Sequence, residues 1–331
     1  MSENSRGDVR PPREVKKTQA QSNPYPYSDS NKRYFTMDYY MRRRLGGKAC
    51  KIPINAGFTC PNRDGSKGYG GCTFCSAKGS GDFAADGSIT EQIEKGADMM
   101  RKKWKNAAII PYFQAFTNTY APVKALRERF EEALAYPKIS GLCIATRADC
   151  VSEECAEYLR ELSSRTFLMV ELGLQSVSDR TAERINRCHS FAEFTEGYRR
   201  LEGLFRCVHI INGLPGESRE DMLKTARTVA ALRPEAVKIH LLHVLRGTPM
   251  EKEYLSGGLT LPSLEEYVSI VCDQLELLPP DTVIERVTGD GAEAELVAPE
   301  WSKRKLVVQN EIDKELFRRG SYQGFRFNNA D

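Results

Sequence analysis

Short, continuously apolar segments alternate with longer amphipathic segments along most of the chain. The run at 107–113 is typical, because it is apolar at nearly every position, as a strand buried on both faces of a parallel sheet requires. The segments between such runs repeat apolar residues every three to four positions, which is the period of a helix with one buried face. Strands that alternate with helices in this way predict βαβ units around a parallel sheet, and therefore an α/β fold.

The same pattern gives the bounds of the predicted elements. Strands are predicted at 49–55, 107–113, 141–146, 166–172, 206–211, 236–242 and 282–286. Helices are predicted at 38–45, 89–105, 123–135, 152–162, 178–186, 191–204, 219–232, 264–277 and 302–319. Parallel α/β folds carry their chemistry at the C-terminal ends of the strands, so the residues after each predicted strand are the first candidates for a functional site.

Composition divides the chain into three parts. Residues 1–30 are polar, rich in Ser, Pro and charge and without a hydrophobic period, so we predict a disordered tail. Residues 31–290 are predicted to form the core domain with its N-terminal basic helix, and 291–331 a helical C-terminal extension. No apolar run approaches the ~20 residues of a membrane span, and the polar N-terminus lacks the apolar region of a signal peptide. We therefore expect a cytoplasmic protein with no membrane partner.

The net charge of +3 is too small to indicate a partner, but the charge is unevenly distributed. Between 32 and 51 there are seven Lys or Arg residues and one Asp, beside Tyr34, Phe35, Tyr39 and Tyr40. Basic residues next to aromatic rings suit phosphate contacts and base stacking, whereas a solvated helix face is the alternative. A second basic group lies in the last predicted helix, at Lys303, Arg304, Lys305, Arg318 and Arg319.

Three of the ten cysteines, Cys60, Cys72 and Cys75, fall within sixteen residues of a glycine-rich segment after the first predicted strand. Three thiolates can converge on one metal centre and leave a coordination position open for a substrate or cofactor. A disulfide framework is disfavoured, because a chain of 331 residues does not need one. A structural zinc site would need a fourth ligand, and the nearest thiol, Cys50, is ten residues upstream. An iron–sulfur cluster is therefore the favoured interpretation.

Polar residues recur where the other predicted strands end. They are Gln114, Thr117, Asn118, Thr146, Arg147, Asp149, Glu171, Gln175, Ser176, Asn212, His240 and His243. Solubility accounts for some of them, but packing alone does not require polar side chains at so many strand ends. A binding site at that edge of the sheet does require them.

With these motifs the chain resembles the radical S-adenosylmethionine (SAM) enzymes. Within that superfamily it is similar to the YhcC/YtqA-like proteins, which are relatives of the catalytic subunit of Elongator. The matching segments are 57–65, 72–75, 112–122, 146–150, 171–176, 186–189, 213–217, 246–249 and 323–324. The resemblance implies a partial (β/α)6-type TIM barrel of radical SAM enzymes with a C-terminal extension.

Two positions depart from common patterns. Cys60 and Cys72 are separated by eleven residues instead of the three usual in the superfamily, and the YhcC-like group shares this long spacer. Ala145 stands where Elongator-type relatives carry Glu, so any cofactor contact from that side chain is absent.

The resemblance also implies the cofactors and their ligands. Cys60, Cys72 and Cys75 are expected to hold three irons of a [4Fe–4S] cluster, and the amine and carboxylate of SAM to chelate the fourth. Gln114 and Thr117 match the usual position of the SAM amino group, and Gln175 and Arg187 match positions that bind its ribose and carboxylate. Asn118, Arg147, Gly213 and Pro215 complete the expected cofactor-binding set, with the glycine loop close to adenine. Alternatively, Arg187 is a surface charge and the glycine loop a plain turn. His240 and His243 are candidates for a proton donor or a substrate contact, or they are structural.

Elongator relatives act on carbon 5 of the wobble uridine in tRNA. The resemblance therefore implies a tRNA-modifying enzyme that trims a carboxymethylaminomethyl group to aminomethyl, served by a low-potential electron donor such as flavodoxin or ferredoxin. No segment long enough for the Elongator acetyltransferase domain follows the predicted barrel, so we expect no acetyl-CoA-dependent reaction. Two alternatives stay open: a radical SAM enzyme on a small metabolite or porphyrinoid, and a non-catalytic iron–sulfur regulatory partner of a metabolic enzyme.

Overall fold

The structure is a computed structural model that describes residues 23–289, 291 and 293–328. Its strands are β1 (Ala49–Ile54), β2 (Ala108–Phe113), β3 (Gly141–Thr146), β4 (Phe167–Gln175), β5 (Phe205–Asn212), β6 (Ala236–Leu241), β7 (Val244–Leu245), β8 (Val283–Arg286) and β9 (Leu296–Ala298). Seven of them form one parallel sheet in the order β1-β2-β3-β4-β5-β6-β8, and β7 pairs with β9 in an antiparallel ribbon.

The helices lie between these strands in the chain. They are α1 (Met37–Leu45), α2 (Ile89–Lys103), α3 (Val123–Ala135), α4 (Glu153–Arg165), α5 (Asp179–Arg184), α6 (Phe191–Arg200), α7 (Arg219–Leu232), α8 (Pro249–Leu255), α9 (Leu264–Leu277) and α10 (Lys305–Arg318). α2, α6, α7 and α9 each begin with a serine whose hydroxyl accepts the N3 amide while the N3 acidic side chain accepts the serine amide. These capping boxes fix the residue at which each of these helices begins, near the C-terminal ends of the strands.

The sheet is curled into an open half-barrel. If it were flat, β1 and β8 would lie about 29 Å apart, which is six spacings of about 4.8 Å. Instead Lys51 on β1 and Glu285 on β8 form an ion pair on the concave face. The convex face packs against the helices through buried residues such as Ile52, Phe113 and Val170. This arrangement confirms the expected partial barrel.

Helix α1 covers the N-terminal end of the half-barrel. Met41 is buried there, and the Tyr40 ring packs against Phe205 and Phe167, the first residues of β5 and β4, with centroids 5.1 and 6.5 Å apart. Just before α1, the Ile284 amide of β8 donates to the Phe35 carbonyl at 2.6 Å. Because α1 covers this end, the interior of the half-barrel is left open toward the C-terminal ends of the strands.

Most predicted elements are present within a few residues of the expected bounds. β4 runs three residues further than predicted, to Gln175, and the short elements α8, β7 and β9 were not predicted. The predicted disordered tail is wrong for 23–30: Tyr25 is buried and its hydroxyl donates to the Pro280 carbonyl at 2.5 Å. The rest of that tail, 1–22, lies outside the described residues.

The C-terminal extension packs onto the core. α10 lies along α9 through buried Val308, Ile312 and Leu316. Beyond it the buried Gln323 amide donates to the carbonyls of Pro279 and Thr282, and its oxygen accepts from the Phe35 amide. None of the described helices is both long enough and apolar enough to cross a membrane.

Candidate active site

A cavity of about 240 Å³ lies inside the half-barrel and reaches the C-terminal ends of the strands. One part of its wall comes from the cysteine loop and from the ends of β2 to β4. The other comes from β5, β6, β8 and the segments that follow them. Polar residues of the first part include Cys60, Arg63, Cys72, Cys75, Asp82, Gln114, Thr117, Arg147, Glu171, Gln175 and Arg187, and those of the second include His209, Lys238, His240, His243 and Arg286.

The eleven-residue spacer folds back on itself and returns Cys72 to the vicinity of Cys60. The amides of Lys67 and Gly68 donate to the Pro61 carbonyl at 2.9 and 3.2 Å, and the Gly71 amide closes the loop on the Asn62 carbonyl at 2.8 Å. Gly71 has φ of 78°, a conformation that glycine adopts without strain. The long spacer is therefore a compact hairpin-like loop.

The buried Asn62 connects this loop to the segment after α5. Its side-chain nitrogen lies 3.6 Å from the Cys72 sulfur and donates to the Asn186 carbonyl. In return, the Asn186 side chain donates to the carbonyls of Tyr69 and Gly71 at 3.0 and 2.8 Å. The cysteine loop and the Arg187 segment therefore form one unit.

Cys60, Cys72 and Cys75 all line the same cavity. Burial raises the pKa of the Cys75 thiol, and nearby Cys72 and Cys60 raise it further while Arg63 opposes them. Bound iron would offset this cost, since it stabilises the thiolates.

Arg187 and Gln175 lie side by side above Gly173. One Arg187 terminal nitrogen lies 3.8 Å from the Cys72 sulfur, and the other donates to the Gly173 carbonyl. A Cβ on Gly173 would lie 2.7 Å from the Gln175 amide nitrogen and 3.0 Å from Arg187, so the two side chains need glycine there. Gln175 has φ of 73°, next to a register shift between β4 and β5. Strained backbone and irregular strand ends of this kind cluster at functional sites.

Arg187 is also incompletely satisfied. Its guanidinium is buried, and Nε has no hydrogen-bond partner among the described residues. A buried donor without a partner beside a cavity is explained by a ligand that accepts from it. The burial of Arg187 argues against a solvated surface charge, and its contact with a carboxylate stays a prediction.

The predicted cofactor residues after β2 have different roles. Gln114 and Thr117 line the cavity, and the Thr117 amide donates to the Thr59 carbonyl, next to Cys60. The Asn118 side chain is buried and donates to the carbonyls of Phe113, Ala115 and Ala145 at 3.0, 3.1 and 2.9 Å. Its amide nitrogen therefore shapes the loop after β2, and Asn118 does not line the cavity.

Arg147 lines the cavity but is engaged by the protein. It pairs with Asp149 through two hydrogen bonds of 3.0 and 2.8 Å and donates to the carbonyls of Arg187 and Cys188 at 2.8 and 3.2 Å. Although burial raises the pKa of Asp149, Arg147 and Lys67 hold it well below its usual value. Arg147 thus positions the segment that carries Arg187, and its contact with the cofactor stays a prediction.

Gly213 and Pro215 are not among the residues that line the cavity. Gly213 has φ of 86°, and a Cβ on it would meet Pro262 at 3.0 Å. The glycine therefore serves a turn packed against a neighbouring loop. The predicted approach of this turn to adenine is not seen in this cavity.

Four charged residues form a closed ring of ion pairs on the floor of the half-barrel. Lys51 contacts Glu171 at 2.5 Å, Glu171 contacts Lys238 at 2.8 Å, Lys238 contacts Glu285 at 3.3 Å, and Glu285 closes the ring on Lys51. Burial opposes the charge of Glu171, but Lys238 and Lys51 outweigh it and hold its pKa well below the usual range. The floor is therefore charged, yet balanced at two positive and two negative groups.

Tyr112 and His209 extend this ring toward the cavity. The Tyr112 hydroxyl donates to Glu171 at 2.7 Å, and His209 Nε2 lies 2.8 Å from the same carboxylate oxygen. Of the four ring members, only Glu171 was identified from the sequence, because only residues at the strand ends were considered. The signal was a charged residue inside each of four mostly apolar strands, at Lys51, Glu171, Lys238 and Glu285.

The described part of the chain holds one further set of potential metal ligands, at Cys207, His209 and Glu285. One ligand atom from each side chain lies within 4.8 Å of the other two. However, two ammonium groups already pair with Glu285, and His209 is hydrogen-bonded to Glu171. A divalent ion there would lie beside Lys51 and Lys238, so we assign no second metal site.

The basic groups predicted to contact nucleic acid are largely engaged elsewhere. Arg42 pairs with Asp29 and Asp38, and Lys51 belongs to the floor ring. Of the aromatic residues in and before α1, Phe35 and Tyr40 pack against the N-terminal end of the barrel. Of the C-terminal group, Lys303, Arg318 and Arg319 pair with acidic residues at Glu300, Glu315, Asp273 and Glu276.

Comparisons with known proteins agree with this site. A family model for the radical SAM superfamily matches residues 56–229, and a model for the radical SAM C-terminal domain matches 234–318. YtqA of Bacillus subtilis is 51% identical over 308 residues, which cover 92% of this chain and 96% of that protein.

Two Elongator proteins show a more distant likeness. Human Elongator complex protein 3 is 28% identical over 159 residues, 46% of this chain and 28% of that protein. The structure of Methanocaldococcus infernus Elp3 with an N-terminal deletion aligns with a TM-score of 0.62 at 19% identity, over 83% of this chain and 64% of that one. This second likeness supports the fold. From the family match and the site that fits it, the chain belongs to the radical SAM superfamily and binds a [4Fe–4S] cluster and SAM.

Proposed function

We propose that this radical SAM enzyme modifies the wobble uridine of tRNA and trims its 5-carboxymethylaminomethyl group to aminomethyl. When bound, the cluster and SAM supply a 5′-deoxyadenosyl radical that removes a hydrogen atom from the substrate. The residues of the chain bind both partners, orient them and exclude water. The observation that carries the proposal is the division of the cavity into a cofactor end and a polar end with charged and imidazole groups.

The cofactor end is built to hold SAM. Arg187 offers a planar fork for a carboxylate, and Arg147 fixes the segment that carries it by bonding its carbonyl. Gln175 and Gln114 border the same space with amide groups that suit hydroxyl and amine partners.

The polar end suits a substrate with charged substituents. Glu171, Lys238 and His209 line the cavity there, so charged and imidazole groups lie next to the substrate space. A carboxymethylaminomethyl group carries both an amine and a carboxylate, so it can find complementary partners at this end.

A nucleobase can reach this interior cavity only after it leaves its stack. The segment between β1 and α2, which contains the three cysteines, carries two exposed aromatic rings that suit stacking with nucleobases: Tyr69 is 78% exposed, and Phe83, which lines the cavity, is 48% exposed. The likeness to Elongator complex protein 3 adds support from outside the site.

The proposed reaction is balanced without an external oxidant. A C–H bond breaks in the methylene between nitrogen and carboxylate. The same carbon then loses one further electron, which replaces the electron consumed in the cleavage of SAM. Water then cleaves the resulting carbon–nitrogen double bond. The overall change converts SAM, the substituted nucleoside and water into methionine, 5′-deoxyadenosine, the aminomethyl nucleoside, glyoxylate and a proton.

The proposal is tested with anaerobically reconstituted enzyme, a flavodoxin or ferredoxin reductant and tRNA. We expect 5′-deoxyadenosine formation, and tRNA binding that weakens as salt increases, because each phosphate contact releases counterions. If SAM is cleaved but tRNA binds without salt dependence, the tRNA assignment is wrong. If 5′-deoxyadenosine forms only with a small metabolite, that substrate class replaces it.

A further inference from the structure

His240 and His243 share an unusual position at the polar end of the cavity. Both line the cavity, and both have a buried Nε2 without a hydrogen-bond partner among the described residues. Buried imidazole nitrogens normally find a partner, so two unpaired nitrogens in one cavity need an explanation.

Packing holds both rings in place. The His240 ring packs against the His209 ring with centroids 5.4 Å apart. A Cβ on Gly289 would lie 2.5 Å from Cε1 of His243, and one on Gly291 would lie 2.8 Å from its Nδ1. The backbone after β8 therefore lies in close contact with the His243 ring, and only glycine permits this approach.

The charged groups that act most strongly on these imidazoles are bases. Burial lowers the pKa of His240 well below its usual value, and His209, Lys238, Arg286 and His243 lower it further. Burial, followed by Lys305 and Arg286, lowers the pKa of His243 to about 4. Both rings are therefore neutral near pH 7.

We propose that His240 and His243 form a carboxylate-binding subsite that recognises the carboxymethyl end of the substrate. This inference rests on the proposed function. With its proton on Nε2, each neutral ring donates one hydrogen bond to a carboxylate oxygen. Both bonds are charge-assisted, because the acceptor is an ionised carboxylate, and such bonds are stronger than neutral ones.

The subsite explains how substrate and product differ in affinity. The aminomethyl product has no carboxylate, so its binding leaves both Nε2 donors unpaired again. Sites built to bond a polar group discriminate strongly against analogues that lack it. Conversion therefore removes the group that holds the substrate at this end and favours release.

Matched substitutions at each histidine test the assignment in the holoenzyme. His240→Met and His243→Met remove the donor at similar side-chain length, whereas His240→Gln and His243→Gln retain an amide nitrogen near the Nε2 position. We expect each Met variant to raise KM for carboxymethylaminomethyl-tRNA by about 10-fold or more, and the Gln variants to restore part of the affinity. Affinity for aminomethyl-tRNA, which lacks the carboxylate, should fall much less. Equal effects on both tRNAs, or no effect on KM, would overturn the subsite.

A second measurement does not depend on tRNA activity. The chain has four histidines, so their Cε1–H NMR signals can be assigned from single variants. We expect sarcosine, which combines a secondary amine with a carboxylate, to shift the signals of His240 and His243 but not that of His189. Dimethylamine, which lacks the carboxylate, should shift neither. If sarcosine shifts neither signal, or if dimethylamine acts equally, the subsite is wrong even when tRNA is the substrate. If both signals respond but tRNA is not converted, the subsite stands and the proposed substrate falls.

Discussion

Lys51 on β1 and Glu285 on β8 form an ion pair between the two edge strands of the open sheet. Both side chains also take part in the four-membered ring with Glu171 and Lys238. Charged groups from four strands thus join the two sides of the half-barrel under the cavity, where no backbone ladder does so.

Removal of one member of this ring should destabilise the folded protein. Lys51→Met leaves two carboxylates with a single remaining ammonium partner in a buried site, and we expect it to lower the free energy of unfolding by about 3–5 kcal/mol. Lys51→Met/Glu285→Gln should cost less than the two single changes together, because it restores charge balance. Urea unfolding of the four proteins measures the coupling. Additive losses would show that the ring does not couple the edges.

The sequence predicted the strands well because a parallel sheet covered on both sides needs continuous apolar runs. It could not predict which strand residues meet, since Lys51 and Glu285 are 234 positions apart and are joined only by the curl of the sheet. α8 and the β7–β9 ribbon are too short for a periodic signal. The order at 23–30 depends on Tyr25, whose partners lie at the other end of the chain.

Only part of the candidate site could be predicted from the sequence. The cysteines and Arg187 stand in local motifs, so spacing and resemblance identified them, and the structure brings them together. The structural roles of Asn118 and Arg147 depend on carbonyl groups of other loops, which no sequence motif records.

Cys72→Ser should abolish the cluster. We expect loss of iron, of the cluster absorbance and of 5′-deoxyadenosine formation, while circular dichroism stays unchanged. Cys188→Ser is the matched control, because Cys188 contacts the same loop near Gly68 but is not assigned as a ligand. Equal loss of iron in the control variant would contradict the three-cysteine assignment.

Arg187→Lys should weaken SAM binding. Lysine keeps the positive charge but loses the planar fork that pairs with a carboxylate, so we expect KM for SAM to rise by about 10-fold to 100-fold. The same change at exposed Arg184, which pairs with Glu253, is the control and should leave KM unchanged. Unchanged KM in the Arg187 variant would remove this residue from the cofactor site.

Stability should fall in mild acid through the buried histidines. The pKa of His243 is lowered to about 4, so between pH 6.5 and pH 4 the unfolded chain binds a proton that the folded protein excludes. The free energy of unfolding must therefore decrease as pH falls through this window. His243→Gln should flatten the decrease by up to about 3 kcal/mol, measured by urea unfolding at several pH values. A slope identical to that of the wild type would show that His243 titrates normally.

Nucleoside analysis of tRNA tests the central claim most directly. Bulk tRNA from a strain that lacks the gene is incubated with holoenzyme, SAM and reductant, digested and analysed by mass spectrometry. The account predicts that 5-carboxymethylaminomethyluridine decreases while 5-aminomethyluridine, glyoxylate and 5′-deoxyadenosine increase in equal amounts, and that Cys72→Ser produces none of them. An unchanged nucleoside profile with wild-type enzyme that still cleaves SAM would contradict it.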